Sequence, residues 1–487
     1  MSDGLLEQLE AYGRSQIYPF HMPGHKRRLA PQALSDIYRM DITEIDGFDD
    51  LHQAEGILKE AQERAAVEFG SEETHFLVGG STAGILSAIA AVCRPGDEIL
   101  IARNCHKSVY HAIEIGRLRP IYIYPQIDTK YGICGLICPQ NVDEMWITHP
   151  NIRALVMTSP TYEGILSDIK ALAEAAHRHH IPLIVDEAHG AHLHCSDYFP
   201  ESAVRCGADL VIQSTHKTLP AMTQTALLHV RGELVDRQRL RRMLAIYQTS
   251  SPSYILMGSI DSCVHMLHKD GKVIFERYTG LLEDFRESWR SRSRGIIRLA
   301  EPEDFDEGCC YAYDRSKLML SVRGQAISGA ALGDLLLSDY GIQVEMRGPD
   351  YVLAMTGPGD DSEGFKRLLA ALADLEERIS GMRLASDGKY DKIKQNTCSK
   401  IDNDILQVRP SQTLSIAEAV WQEKEKVSYT DAAGRISGDY IYIYPPGIPL
   451  VTPGELIEEA AIRQIDAWLR SGLHVTGLTD GKLSVIL

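Results

Sequence analysis

Two stretches, Pro182-Leu-Ile-Val-Asp186-Glu-Ala-His189 and Asp209-Leu-Val-Ile-Gln213-Ser-Thr-His-Lys217, decide how this chain is read. Each is a short apolar run ending on polar groups, the pattern of a buried strand that delivers side chains to one rim of a sheet. The first run delivers Asp186; the second delivers Lys217, set behind Ser214 and His216. Pyridoxal phosphate chemistry needs that pair. A lysine holds the cofactor aldehyde as a Schiff base, and a carboxylate keeps the pyridine nitrogen protonated so that the ring can accept electrons. Upstream, Gly79-Gly80-Ser81-Thr82-Ala83-Gly84 follows another apolar run and opens a helix, offering N–H donors and small residues to a phosphate. An ordinary strand-to-helix turn has the same composition, and the Asp and Lys downstream tip the balance.

Around these motifs, short apolar runs alternate with helical patterns. Strands are expected at 74–78, 98–102, 121–124, 154–158, 182–186, 209–213 and 226–230, with helices at 56–69, 83–93, 108–116 and 168–179. The alternation predicts an α/β domain with a mostly parallel seven-stranded sheet, and such sheets bind ligands beyond the carboxyl ends of their strands. After about residue 285 the pattern changes. Strands at 296–299, 317–322, 342–346 and 351–356, with helices at 327–338 and 361–380, predict a smaller α/β domain. The reading divides the chain into an N-terminal arm (1–50), a cofactor-binding large domain (51–285), a small domain (286–385) and a polar linker (386–410). A C-terminal α+β domain (411–487) follows, with a helix at 414–425, a strand at 439–444 and a helix at 453–470.

Composition narrows the function. The 487 residues suffice for several cored domains, and 44% hydrophobic and 24% charged residues are ordinary for a soluble protein. A formal charge of −17 disfavours nucleic acid and anionic membranes as partners. It suits a cationic substrate, though solubility alone would account for it. The uncharged segment 76–93 begins with too many glycines and hydroxyls to be a membrane span. No signal peptide is visible at the N-terminus, and ten scattered cysteines fit a reduced, cytoplasmic chain. Cys134, Cys138, Cys309 and Cys310 lack partners at zinc spacing, so no metal is expected.

Two more residues fall near the expected rim. His106, just after the strand at 98–102, would lay its imidazole on the pyridine ring, or else be a solvated loop histidine. Thr161, in Ser159-Pro-Thr161-Tyr-Glu-Gly164, would place a hydroxyl near the cofactor's ring oxygen, or else cap a turn. Together with Pro19-Phe-His-Met-Pro-Gly-His-Lys26, Glu44-Ile-Asp46-Gly-Phe-Asp49-Asp-Leu51, Thr249-Ser-Ser-Pro-Ser-Tyr254 and Tyr444-Pro-Pro-Gly-Ile-Pro-Leu-Val-Thr-Pro-Gly-Glu455, these motifs resemble the ornithine/lysine/arginine decarboxylase family over nearly the whole chain. Those are pyridoxal phosphate enzymes of the aspartate aminotransferase fold (fold type I). The resemblance implies α-decarboxylation of a basic L-amino acid, most often arginine to agmatine for polyamine synthesis, with lysine or ornithine as alternatives.

Carried over, the resemblance makes Lys217 the Schiff-base lysine, Asp186 the pyridine partner and His106 the stacking ring. Ser81, Thr82, Ala83, Ser214 and His216 would hold the phosphate. It also implies a homodimer or dimer of dimers with shared sites, in which Ser251 reaches the partner's cofactor. Glu455, with Glu44 and Asp46, would meet the substrate's distal cation; otherwise Glu455 is an acidic residue in the first turn of the helix at 453–470. The long N-terminal wing of the enterobacterial members is missing, so their decamer is not expected. His189 stands where those members carry tryptophan, close to the cofactor, as in short Gram-positive members. Rival readings are an aminotransferase or carbon–sulfur lyase, for which Arg347 would grip the α-carboxylate, and a non-catalytic regulatory homologue.

Overall fold

The structure is a computed structural model that describes residues 4–27, 31–384 and 408–487. Its main sheet has seven strands: β1 (Glu73–Leu77), β2 (Glu98–Ala102), β3 (Arg119–Ile123), β4 (Ile152–Thr158), β5 (Leu183–Asp186), β6 (Leu210–Gln213) and β7 (Ala226–Val230). They lie in the order β1-β7-β6-β5-β4-β2-β3. β4, β5 and β6 run parallel, while β7 runs antiparallel to both its neighbours. All residues of β5, β6 and β7 are buried, which explains why their sequences are apolar on both faces.

The chain divides into two compact units. The first comprises Met1–Leu100, Val142–Ser159 and Ile169–Glu276. In it, the helix Ile57–Phe69 stops at Gly70, whose left-handed backbone costs glycine nothing, and the chain then enters β1. The helix Gly80–Val92 packs directly on the strands. A Cβ on Gly84 would lie 2.6 Å from Leu77 Cδ1 and 3.1 Å from Ile212 Cγ2, so glycine sets how closely this helix approaches β1 and β6. Gln248 braces β1, accepting the Val78 N–H at 2.9 Å and donating to the Phe76 carbonyl at 3.3 Å.

The second unit comprises Ile101–Asn141, Pro160–Asp168 and Arg277–Leu487. It holds an antiparallel four-stranded sheet of β8 (Arg298–Leu299), β9 (Lys317–Ser321), β10 (Met346–Arg347) and β11 (Tyr351–Met355), in the order β8-β9-β11-β10, with helices Gly329–Tyr340 and Ser362–Leu384. Towards the C-terminus, Ile441, Val451, Ile457, Ile465, Leu483 and Val485 form a separate apolar core.

Two expectations change here, and a third is not reached. The helix expected at 414–425 covers only Ile416–Ala419, and Lys424–Ser428 is instead a strand paired with Lys482–Ile486. Cross-strand pairing outweighs the helix propensity of the Lys/Glu run. The helix expected at 453–470 begins at Glu459, so Glu455 is not in its first turn. The linker at 386–410 lies almost wholly outside the described residues.

Candidate active site

Four strand ends of the first unit meet at one rim. Asp186 pairs with Ile212 across β5 and β6, and Thr158 with Asp186 across β4 and β5. β1 points the same way, because both of its steps to β6 through β7 are antiparallel. Leu77 lies opposite Ala226, and Leu227 opposite Gln213. Asp186, Ser214 and Gly79 therefore leave the sheet along a single edge, where open α/β sheets place their ligands.

Past β6 the chain turns into the short helix Thr215–Thr218, which carries Lys217. A tight turn after β5, closed by the Gly190 N–H on the Glu187 carbonyl at 2.8 Å, carries His189. The two side chains meet, with Lys217 Nζ 3.0 Å from His189 Nε2. Asp186 is buried, and its Oδ1 accepts the Ala188 N–H at 3.2 Å. Burial pushes this carboxyl above its ordinary pKa, while the Lys217 charge and the Ala188 N–H pull against that rise. A cationic ring N–H at Asp186 would supply the charge that burial withholds.

The expected phosphate residues gather at the same rim. Ser81 and Thr82 occupy the first turn of the helix Gly80–Val92, ahead of buried Ala83, and Gly80 has a left-handed φ of 70°. Ser214 Oγ is buried and, among the described residues, has no hydrogen-bond partner. An unsatisfied buried hydroxyl beside a helix N-terminus fits an anion's oxygen. His216 gives its Nδ1 proton to the Thr225 carbonyl at 2.8 Å. Its Nε2 therefore donates to a phosphate only when the ring is protonated. Burial lowers the His216 pKa, and a neighbouring dianion would raise it. These residues fit pyridoxal phosphate: a lysine amine, a buried carboxylate and an anion cradle share one edge.

Sequence reasoning missed Glu187. Its buried carboxylate accepts from Ser202 Oγ at 2.6 Å, Gln213 Nε2 at 2.6 Å and the Ala203 N–H at 2.8 Å. Gln213 Oε1 then meets His229 Nε2 at 3.1 Å, and His229 Nδ1 meets Thr74 at 2.8 Å. Glu187 follows Asp186 in the chain and Gln213 precedes Ser214, so this network fastens together the two strand ends that carry the lysine and the carboxylate. Burial pushes the Glu187 carboxyl up to about 7 despite its three donors. The only signal in the sequence was adjacency to Asp186.

Glu44 and Ser251 form a second group in this unit. Ser251 Oγ lies 3.5 Å from Glu44 Oε2, and Glu44 Oε1 is buried with no partner among the described residues. Asp46 is exposed nearby in sequence. Tyr254 donates to the Asp49 carbonyl at 2.5 Å, and His52 Nε2 to the Thr249 carbonyl at 2.8 Å, so the 44–52 and 249–254 segments are joined.

The remaining expected residues lie in the second unit. His106 caps the helix Lys107–Gly116, its Nδ1 accepting the Ser108 N–H at 3.2 Å. Gly447 presses on this ring: a Cβ there would lie 3.3 Å from His106 Nε2. The Thr161 hydroxyl accepts the Ile165 N–H at 3.1 Å and gives its own proton to the buried Glu163 carboxylate, closing the turn. Glu455 departs from the expected role. It is fully buried, and Oε2 accepts from Arg103 Nη2 at 3.1 Å and from the Thr452 N–H at 2.7 Å. Arg103 also binds the Tyr110 hydroxyl and the Pro449 and Leu450 carbonyls. The carboxylate offered to a substrate cation is already neutralised by a protein cation, and it anchors the 449–455 segment instead.

Known proteins share this architecture. The family described as "Orn/Lys/Arg decarboxylase, major domain" matches residues 4–324, and the C-terminal domain of the same family matches residues 392–477. A protein of Bacillus subtilis (strain 168) named arginine decarboxylase is 33% identical, covering 98% of this chain and 96% of its own. The Bacillus anthracis protein of that name is 34% identical, covering 99% and 96%. Among solved structures, a lysine decarboxylase from Francisella novicida aligns with a TM-score of 0.84 at 22% identity, covering 99% of this chain and 81% of the other.

Proposed function

The chain belongs to the Orn/Lys/Arg decarboxylase family and is a decarboxylase of fold type I, and we propose that it binds pyridoxal phosphate and releases CO2 from L-arginine. Enzymes of this family and fold are in general dependent on that cofactor. The observation that carries the reading is Lys217 in contact with His189, with Asp186 buried at the adjoining strand end. Arginine is preferred to lysine or ornithine because relatives covering this chain almost end to end are named for it.

When bound, pyridoxal phosphate supplies an electron sink for the pair left behind as CO2 departs. The chain's residues do the rest. Lys217 provides the amine that anchors the cofactor. His189, one hydrogen bond from Lys217 Nζ, shares the proton that this amine must lose to act as a nucleophile, and the pair can return one to the α-carbon. Asp186 holds the ring nitrogen's proton in a buried site, where a neutral partner would not. Ser81, Thr82 and Ser214 would receive the phosphate. An aminotransferase would instead need an arginine for the α-carboxylate, and Arg347 is ion-paired to Asp334.

A homodimer with shared sites accounts for the Thr249–Tyr254 segment, with Ser251 serving the partner. Mixing a Lys217→Ala chain with a Ser251→Ala chain should restore part of the activity, and no recovery counts against sharing. The function itself is tested by CO2 release from arginine, lysine and ornithine with added cofactor. Arginine is expected to give the highest kcat/KM, and no release from any of the three overturns the reading.

A further inference from the structure

β1 enters the phosphate turn through Val78, and side chains from elsewhere in the first unit hold both backbone groups of that residue. The Val78 N–H donates to Gln248 Oε1 at 2.9 Å, and the Val78 carbonyl accepts from Gln224 Nε2 at 2.6 Å. Gly79 and Gly80 follow directly. The Gln224 backbone borders the turn as well, since a Cβ on Gly80 would lie 3.9 Å from the Gln224 carbonyl oxygen. Gln224 is exposed and has a φ of 82°, in the left-handed region that favours glycine. A side chain kept at such a position points to a role for that side chain.

The next residue ties the same loop to the helix that carries Lys217. Thr225 Oγ1 accepts from Thr215 Oγ1 at 2.7 Å, and the Thr225 carbonyl accepts the His216 Nδ1 proton at 2.8 Å. The loop is itself braced, with Thr225 Oγ1 donating to the Met222 carbonyl at 2.6 Å and the Met222 N–H donating to Ser259 Oγ at 2.9 Å. Gln224 and Thr225 therefore link the glycine turn to the lysine helix within one unit. A cofactor of fixed length has to meet both at once, its phosphate at the turn and its aldehyde at the lysine. Supports of this kind set how well such a site is preorganised. We propose that Gln224 is a positioning residue for the cofactor phosphate, holding Val78 so that the turn presents its N–H groups at the right distance from Lys217. This role rests on the pyridoxal phosphate reading above. Gln224 acts through Val78 and not on the reacting atoms.

The test compares two ligands by absorbance titration of the full chain freed of cofactor: pyridoxal phosphate, and pyridoxal, which lacks the phosphate. Gln224→Leu should weaken binding of pyridoxal phosphate roughly fivefold, the scale of one lost hydrogen bond, and that of pyridoxal far less. Gln224→Gly suits the left-handed backbone, so it should melt no lower than wild type yet lose the same preference for the phosphorylated ligand. A merely structural role would weaken both ligands alike. If wild type prefers pyridoxal phosphate and both variants keep that preference undiminished, the role of Gln224 is refuted and the cofactor reading survives. If wild type binds neither ligand, both fall.

Discussion

Asp186 and Glu187 are consecutive in the chain yet face opposite demands. Asp186 is buried with the Lys217 charge and a single backbone donor pulling against the effect of burial, while Glu187 is held by three donors that fix two strand ends. Asp186→Asn should keep its fold and bind cofactor but lose most CO2 release, because an amide does not hold a pyridinium; near wild-type turnover would contradict this. Glu187→Ala should act through structure, leaving the buried donors of Ser202 and Ala203 without an acceptor and Gln213 Nε2 with only Ser202 Oγ at 3.2 Å. A loss of about 3 kcal/mol or more in urea unfolding is expected, with weaker cofactor binding. Removing Glu455 strands Arg103 in a buried site, so Glu455→Ala should cost about 3–5 kcal/mol of stability while KM changes little in whatever enzyme stays folded. The sequence makes Lys217 and Asp186 legible because strand, motif and chemistry coincide locally. It hides the Arg103–Glu455 pair and the Glu187–Gln213–His229 network, whose members meet only through tertiary folding.

Among the elements, buried strands are read well, whereas the 39-residue helix Tyr254–Arg292 has no counterpart in the sequence reading. All seven main-sheet strands fall within a few residues of their expected positions, since buried strands announce themselves by continuous apolar runs. The helices expected at 414–425 and 453–470 are shorter than their patterns, because a strand partner or a buried ion pair claims the flanking residues. Gly84 tests the packing that positions the phosphate turn. Alanine favours a helix by about 1 kcal/mol over glycine, but overpacking costs about 1–3 kcal/mol. With contacts of 2.6 and 3.1 Å awaiting its methyl, Gly84→Ala should be destabilising on balance and should weaken cofactor affinity as the helix is pushed off β1 and β6. Thermal melting and a cofactor titration measure the two effects, and an unchanged affinity would separate the helix from the phosphate site.

Over the whole molecule, stability should depend on pH through buried His229. Burial, with His194 and His75 nearby, lowers its pKa from 6.5 to about 3. The unfolded chain takes up a proton below pH 6.5 and the folded chain does not, so stability is full above that value and falls as pH drops towards 3. The loss is on the order of a few kcal/mol. His229→Gln should flatten this slope in denaturant titrations at pH 4 and 7, and an identical slope would place the acid sensitivity elsewhere. Among the described residues, no helix is long and apolar enough to cross a membrane. The central claim is that Lys217 is the residue that anchors the cofactor at this rim. Borohydride reduction of the pyridoxal phosphate-loaded protein, followed by peptide mass spectrometry, tests it directly. The account predicts a reduced pyridoxyl group on Lys217 Nζ and on no other lysine; an unmodified Lys217, or a label on a different lysine, would contradict it.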